Sequence, residues 1–195
     1  MKYEPRKQQA SLFLQIDEVC KPFAPETILT VLNIAFCSGL FLYALYLENI
    51  SGLVPCALCL AQRIMIILVA LCGAIIIVSQ SFRIRVVNII VTISATIGGI
   101  FLAGRQAWLQ SLPPESIPAC GPDIYFALEN FPIINVLQSM ILGTGNCAEI
   151  QWTFLGISIP GWNLINFAIL LISSIMIFMI IVKRKNLEIN SHEKH

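Results

Sequence analysis

Four long apolar stretches, Ile28 to Leu47, Ala57 to Ser79, Val86 to Ala103 and Trp162 to Val182, constrain this 195-residue chain more than any other feature. A helix needs about 20 mostly apolar residues to cross a hydrocarbon core, and only helices or closed barrels satisfy their backbone groups there. The pattern predicts an all-α integral membrane protein built as a four-transmembrane-helix bundle. Charged residues make up only 12% of the chain and the formal net charge is +1, so the totals point neither to nucleic-acid binding nor to electrostatic attachment to acidic surfaces.

Apart from Arg63 and Arg105, the latter at the very start of the longer outward loop, the basic residues fall in three places: an N-terminal tail (Lys2, Arg6, Lys7, Lys21), the connection Gln80 to Arg85 (Arg83, Arg85), and a C-terminal tail (Lys183, Arg184, Lys185, Lys194). The positive-inside rule assigns all three, and with them both termini, to the cytoplasm. The expected division is a cytoplasmic tail over 1–27, a membrane domain over 28–182 with outward loops 48–56 and 105–161, and a second cytoplasmic tail over 183–195. The first apolar stretch is longer than the core of a secretory signal, follows a mixed-charge tail and lacks an A-x-A cleavage site, which reads as a retained anchor.

Of seven cysteines, Cys56, Cys59, Cys120 and Cys147 map to the outward side, where an oxidising compartment lets disulfides persist. Cys20 maps to the inward tail. Cys37 and Cys72 fall inside helices and read as small apolar residues. The outward four could form two structural staples or a zinc site. Spacing favours redox chemistry instead: Cys56 and Cys59 make a C-x-x-C at a helix start, where free N–H groups and the positive dipole end favour thiolate, while Cys120 and Cys147 lie too far apart in sequence to supply the second close pair of a zinc site. No metal ligand set is expected.

Arg63 follows Cys59 by four residues, so both side chains occupy one helix face, with Arg63 a turn deeper. A cation there is retained where it snorkels or pairs, and no acidic residue stands one turn away on the same helix. An apolar electron carrier whose carbonyl oxygens gain negative charge on reduction would suit the two together: Cys59 supplies electrons and Arg63 stabilises the oxyanion. A quinone fits that description.

In the longer outward loop, Pro113, Pro114, Pro118 and Pro122 bracket Cys120 and predict an extended segment that can be offered to a partner. Pro132 to Leu142 predicts a short helix on the membrane surface, with Pro at the first helical position, apolar Ile133, Val136, Leu137 and Met140, and Gly143 as its cap. Trp108, Trp152, Phe154 and Trp162 read as an interfacial aromatic belt without a catalytic role.

P-C-A-L-C-L-A-Q-R (Pro55 to Arg63), G-R-Q-A-W-L-Q-S-L-P-P (Gly104 to Pro114), P-A-C-G-P (Pro118 to Pro122) and G-N-C-A-E-I-Q-W-T-F-L-G-I-S-I-P-G-W (Gly145 to Trp162) together resemble the disulfide bond formation protein B (DsbB) family. The resemblance implies a multi-pass protein of the bacterial inner membrane that reoxidises a periplasmic, thioredoxin-fold DsbA-like dithiol oxidase and passes the electrons to ubiquinone or menaquinone, with the short surface helix in the second periplasmic loop. Carried onto matching positions, Cys56 and Cys59 would be the quinone-linked pair and Cys120 and Cys147 the partner-facing pair. Cys120 would form the mixed disulfide with the partner, Cys147 would attack Cys56, and Cys59 would meet the quinone beside Arg63. The long lead of Met1 to Thr27 and the extra thiols Cys20, Cys37 and Cys72 depart from the family pattern without touching its motifs.

Two rivals remain open at this level. A vitamin K epoxide reductase-like enzyme also pairs a four-helix bundle with C-x-x-C and a quinone, but its quinone-side pair is expected late in the bundle. A zinc-stapled membrane scaffold without turnover would carry stoichiometric metal on the four outward cysteines.

Overall fold

The computed structural model describes residues 24–52, 55–122 and 124–193; Lys2, Arg6, Lys7, Cys20, Lys21, Asp123 and Lys194 lie outside them. Four helices long and apolar enough to cross a membrane form the body: α1 (Pro25–Ser51), α2 (Ala57–Val78), α3 (Phe82–Gln110) and, last in the chain, α6 (Ile159–Glu193). Between α3 and α6 come two short helices, α4 (Ile124–Asn130) and α5 (Ile133–Leu142), and a two-stranded hairpin, β1 (Thr153–Phe154) with β2 (Ile157–Ser158). The chain is an all-α membrane protein with four spans.

Three helices outrun their apolar windows. α1 starts at Pro25 and so takes Glu26 and Thr27 out of the expected tail, α3 carries Arg105 out of the expected loop, and α6 continues past Lys185. Hydropathy marks where hydrocarbon would end, whereas an i→i−4 ladder continues through polar residues until a breaker stops it. For α1 that breaker is Gly52, whose φ of 66° closes the helix with an N–H bond to the Leu47 carbonyl.

The four spans pack in the ring α1–α2–α3–α6, which closes from α6 back to α1. Side-chain packing, rather than a hydrophobic drive between helices, must hold such a ring in lipid, so close approach matters. At Gly99 a Cβ would stand 2.3 Å from the Phe167 ring, and its absence lets that ring sit fully buried between α3 and α6. Around Phe167 the mid-bundle core collects Cys37, Ile66, Val69, Ala95 and Leu170. Cys37 and Cys72 are both buried, as expected. Outward, Leu42, Leu71, Val78, Phe101 and Ile172 are exposed apolar side chains that a bilayer would cover.

The ends of the bundle differ. One end gathers the start of α1, the turn between α2 and α3, and the basic part of α6: Glu26 is 2% exposed and pairs with Arg184 at 2.8 Å and Arg85 at 3.5 Å. The other end is capped by the segment between α3 and α6. There α5 buries Val136 and Met140 in one cluster with Leu58 and Leu109, while Ile133, Ile134, Leu137 and Ile141 stay exposed, an arrangement suited to a helix lodged between bundle and membrane surface. Pro132 occupies the N-cap of α5 instead of the first helical position expected of it, so the helix begins one residue later at Ile133, and Gly143 closes it at φ 78° with its N–H on the Ser139 carbonyl. The sequence pattern misses α4, which is only seven residues long, and the hairpin, whose turn places Leu155 (φ 53°) and Gly156 (φ 78°) in the left-handed region that two-residue hairpin turns use.

Candidate functional site

Pro55 precedes α2, and Cys56 is its N-cap, with extended backbone and its carbonyl accepting from the Leu60 N–H at 3.1 Å. Cys59 therefore sits within the first turn, its sulfur 3.0 Å from that of Cys56. The C-x-x-C lies at a helix start, as the sequence predicts. No disulfide joins the described cysteines: Cys56, Cys59, Cys120 and Cys147 are all free thiols.

Cys147 is 0% exposed and lies against Cys56, in the cluster that includes Leu58 and Met140. It ends a single 3-10 turn, Gly145–Cys147, and the Thr144 hydroxyl stands 3.9 Å from its sulfur. Hydrogen bonding from the Cys56 thiol holds the Cys147 thiol down to about 6, against the opposing effect of burial and with help from the Leu58 N–H. Cys56, which retains its proton between two sulfurs and is partly buried, is raised for the same reasons. The arrangement makes Cys147 the thiolate and aims it at Cys56.

Cys120 is exposed on the irregular segment 117–122, which carries Pro118 and Pro122 and follows a single 3-10 turn, Pro114–Ser116. That segment lies along the turn carrying Cys147: the Gly145 N–H donates to the Ala119 carbonyl at 3.1 Å, and Asn146 Nδ2 to the Gly121 carbonyl at 3.1 Å. Gly145 is required by proximity, since a Cβ there would stand 2.5 Å from the Pro118 carbonyl oxygen and 3.1 Å from the Cys120 sulfur. The fold thus brings the two cysteines that sequence separates into adjoining strips of chain.

Two sizeable cavities, and a small one of about 20 Å³ lined by both cysteines, meet the C-x-x-C. One, of about 400 Å³, is walled by α1, α2, α6 and the hairpin region, with Tyr43, Glu48, Cys59, Arg63, Trp152 and Trp162 among its lining residues. Its volume is in the range of small-molecule sites. The other, of about 280 Å³, borders Cys56 on the loop side and is lined by Pro122, Thr144, Asn146 and Glu149. Among the described residues no group of three or more His, Cys, Asp or Glu is arranged to hold a metal.

Arg63 has a partner that single-helix reasoning does not reach. Its Nη1 bonds Glu48 of α1, and its Nη2 donates to the Ala44 carbonyl at 3.3 Å. The acid comes from the neighbouring helix, so the charge is paired within the membrane end of the bundle instead of relying on snorkelling. Of the five N–H donors of a guanidinium, two are used by these contacts.

Other residues escape the sequence reading. Trp152 and Phe154 stack with centroids 6.0 Å apart, Phe154 meets Trp162 at 6.0 Å, and Tyr43 meets Trp152 edge-on at 6.3 Å. Three residues assigned to a belt therefore build a cavity wall; Trp108, half exposed beneath the Arg105 guanidinium at 4.4 Å, stays outside it. Gln62 and Gln106, 1% and 3% exposed, bond to one another at 2.8 Å inside the bundle. Their signal was present as carboxamides within otherwise apolar spans, where polar groups are expensive and tend to be functional.

A four-span bundle that presents a helix-start thiol pair to an apolar cavity on one side and a third buried thiol on the other defines a membrane thiol-disulfide protein. The family model for disulfide bond formation protein DsbB matches residues 26–177. Curated relatives named disulfide bond formation protein B include those of Methylococcus capsulatus, 45% identical over 70% of this chain and 84% of that protein, and Hahella chejuensis, 47% identical over 67% and 79%. That of Marinobacter nauticus is 40% identical over 73% of this chain and 86% of its own length. The chain belongs to the DsbB family, and with it to the membrane proteins of disulfide bond formation.

Proposed function

We propose that the protein is a protein-dithiol:quinone oxidoreductase of the bacterial inner membrane, which reoxidises a periplasmic DsbA-like thioredoxin-fold oxidase and delivers the electrons to ubiquinone or menaquinone. The observation that carries this reading is the split environment of the C-x-x-C: Cys56 borders the polar, loop-side cavity and Cys147, whereas Cys59 and Arg63 share the wall of the apolar one. In this reading the membrane domain is 28–182, loops 48–56 and 105–161 are periplasmic, and 1–27 and 183–195 are cytoplasmic.

The resting form carries Cys120–Cys147 and Cys56–Cys59 disulfides. A thiolate of the reduced partner attacks Cys120; the partner–Cys120 bond forms, the Cys120–Cys147 bond breaks, and the electron pair leaves on Cys147. Cys147 attacks Cys56, breaking Cys56–Cys59 and leaving the pair on Cys59. The partner's second thiolate releases its own disulfide and frees Cys120, which re-forms its bond to Cys147 and frees Cys56. Two electrons and two protons, taken from the partner's dithiol, then reside on Cys56 and Cys59, whose re-oxidation to a disulfide requires an acceptor. A quinone bound in the apolar cavity supplies that two-electron, two-proton sink. The residues present fit it: the walls are apolar and aromatic, and Arg63, Asn163 and Asn166 offer donors for carbonyl oxygens.

Replacing Cys147 by Ala removes the relay while leaving Cys120 to receive the partner. A covalent adduct with a reduced thioredoxin-like donor should accumulate on non-reducing gels, absent when Cys120 is also replaced, and turnover of quinone should cease. Undiminished quinone reduction by the Cys147→Ala protein would sink the relay.

A further inference from the structure

Resting on the proposed reaction, we propose that the Gln106 carboxamide is a catalytic hydrogen-bond donor to the Cys59 sulfur, and that Gln62 and Asn163 are positioning residues that fix which end of that carboxamide faces the sulfurs. Gln106 on α3 points Nε2 at Cys59 Sγ, 3.2 Å away, and at Cys56 Sγ, 3.4 Å away. Its Oε1 accepts from Gln62 Nε2 of α2 at 2.8 Å, and Gln62 Oε1 accepts from Asn163 Nδ2 of α6 at 2.6 Å. Three helices thus contribute one head-to-tail chain of amides that runs from the cavity-lining Asn163 to the thiol pair.

The direction of the chain is its function. A carboxamide has a donor end and an acceptor end, and one that turned its oxygen to a thiolate would repel it. With Gln62 donating to Oε1, the NH₂ of Gln106 is committed to the sulfurs, and both glutamines are buried, so water does not compete for either end. When Cys147 attacks Cys56, the Cys56–Cys59 bond breaks and its electron pair settles on Cys59. A leaving thiolate departs faster the better its charge is held, and Gln106 already has its donor in place. Arg63 also lines the apolar cavity with Cys59, so amide and guanidinium address the same end of the reaction from α3 and α2.

The test needs neither quinone nor partner and so succeeds or fails apart from the proposed electron path. Full-length protein carrying Cys56→Ala and Cys147→Ala leaves Cys59 as the thiol of the site. Tyr43, Glu48 and Arg63, the other ionisable groups lining the apolar cavity, and Glu149, which lines a small cavity with Cys59 and Gln106, are untouched throughout, and mass spectrometry follows alkylation of Cys59 by a small permeant reagent. Adding Gln106→Leu should slow alkylation roughly tenfold at pH 7, because hydrogen bonds to charged groups are the strong ones, and the deficit should shrink to about twofold at pH 10, where ionisation no longer depends on the donor. Gln62→Met, which leaves Gln106 in place but frees it to rotate, should slow alkylation about threefold at pH 7, in the same direction. Should Gln106→Leu fail to insert, the Gln62→Met measurement decides alone. Equal rates at pH 7, or a deficit undiminished at pH 10 as packing damage would give, overturn the assignment.

Discussion

Both ends of the bundle hold an acid of α1 against arginine, and they use it differently. At one end Glu26 is enclosed by Arg85 of α3 and Arg184 of α6, so one carboxylate ties three helices and Arg85 keeps its Nε buried without a bond. At the other, Glu48 meets Arg63, both side chains partly open and both lining the apolar cavity. The first arrangement encloses its charge in protein. Under the proposed function the second leaves guanidinium donors for the carbonyl oxygens of a bound quinone, which would be the difference between a clamp and a binding wall.

The largest effect should come from breaking the clamp. Glu26→Gln keeps the shape but removes the charge between two arginines; Arg184 is 39% exposed and can rehydrate, whereas Arg85 is mostly enclosed, so the cost should be about 3 kcal/mol, the low end for a buried ion network. Thermal unfolding in detergent should show a markedly lower midpoint, with the quinone KM of the surviving fraction unchanged. A Glu26→Gln protein as stable as the parent would erase the distinction between the two ends.

The clamp was invisible in the sequence for a reason that also explains Glu48. Apolar windows revealed the four spans because hydrocarbon imposes length and composition on each helix separately, and C-x-x-C at Pro55 to Cys59 was legible because a helix start is a local event. Glu26 pairs with Arg184 across the whole chain, Glu48 with Arg63 across a turn, and Gln62 with both Gln106 and Asn163; such contacts depend on the order of helices around the ring, which periodicity does not encode. Glu26 moreover precedes the apolar window, which puts it in the expected cytoplasmic tail over 1–27. Trp152, Phe154 and Trp162 were read as a belt because tryptophan near a span end commonly is one, and only the left-handed turn at Leu155 and Gly156 folds them into a wall.

The two ends also differ in their response to pH, because the cavity end holds sulfurs that titrate. With the Cys147 thiol held down to about 6, its thiolate predominates above that pH and is lost as pH falls through it. In reduced protein, site-resolved alkylation of Cys147 should follow a midpoint near 6. Cys56→Ala removes the principal donor, so the midpoint should climb by about two units toward the ordinary thiol value of about 8.5. A midpoint that stays near 6 in Cys56→Ala would assign the effect to the Leu58 and Thr144 donors and detach Cys147 from the thiol it faces.

The smallest expected change tests the binding wall itself. Arg63→Met preserves the volume and the apolar stem while removing the guanidinium, and Glu48, whose side chain is 21% exposed, keeps a route to water, so stability should fall by about 1–2 kcal/mol. What should change is recognition: a hydrogen bond to a charged donor contributes about 1.5–3 kcal/mol, so the quinone KM should rise roughly tenfold or more. Exchange between Cys120 and a reduced thioredoxin-like donor should proceed at the parental rate, since that chemistry occurs on the loop side of Cys56. If Arg63→Met instead unfolds like Glu26→Gln with KM unmoved, Arg63 is a second clamp, and the apolar cavity has lost the charge that distinguishes it from a packing defect.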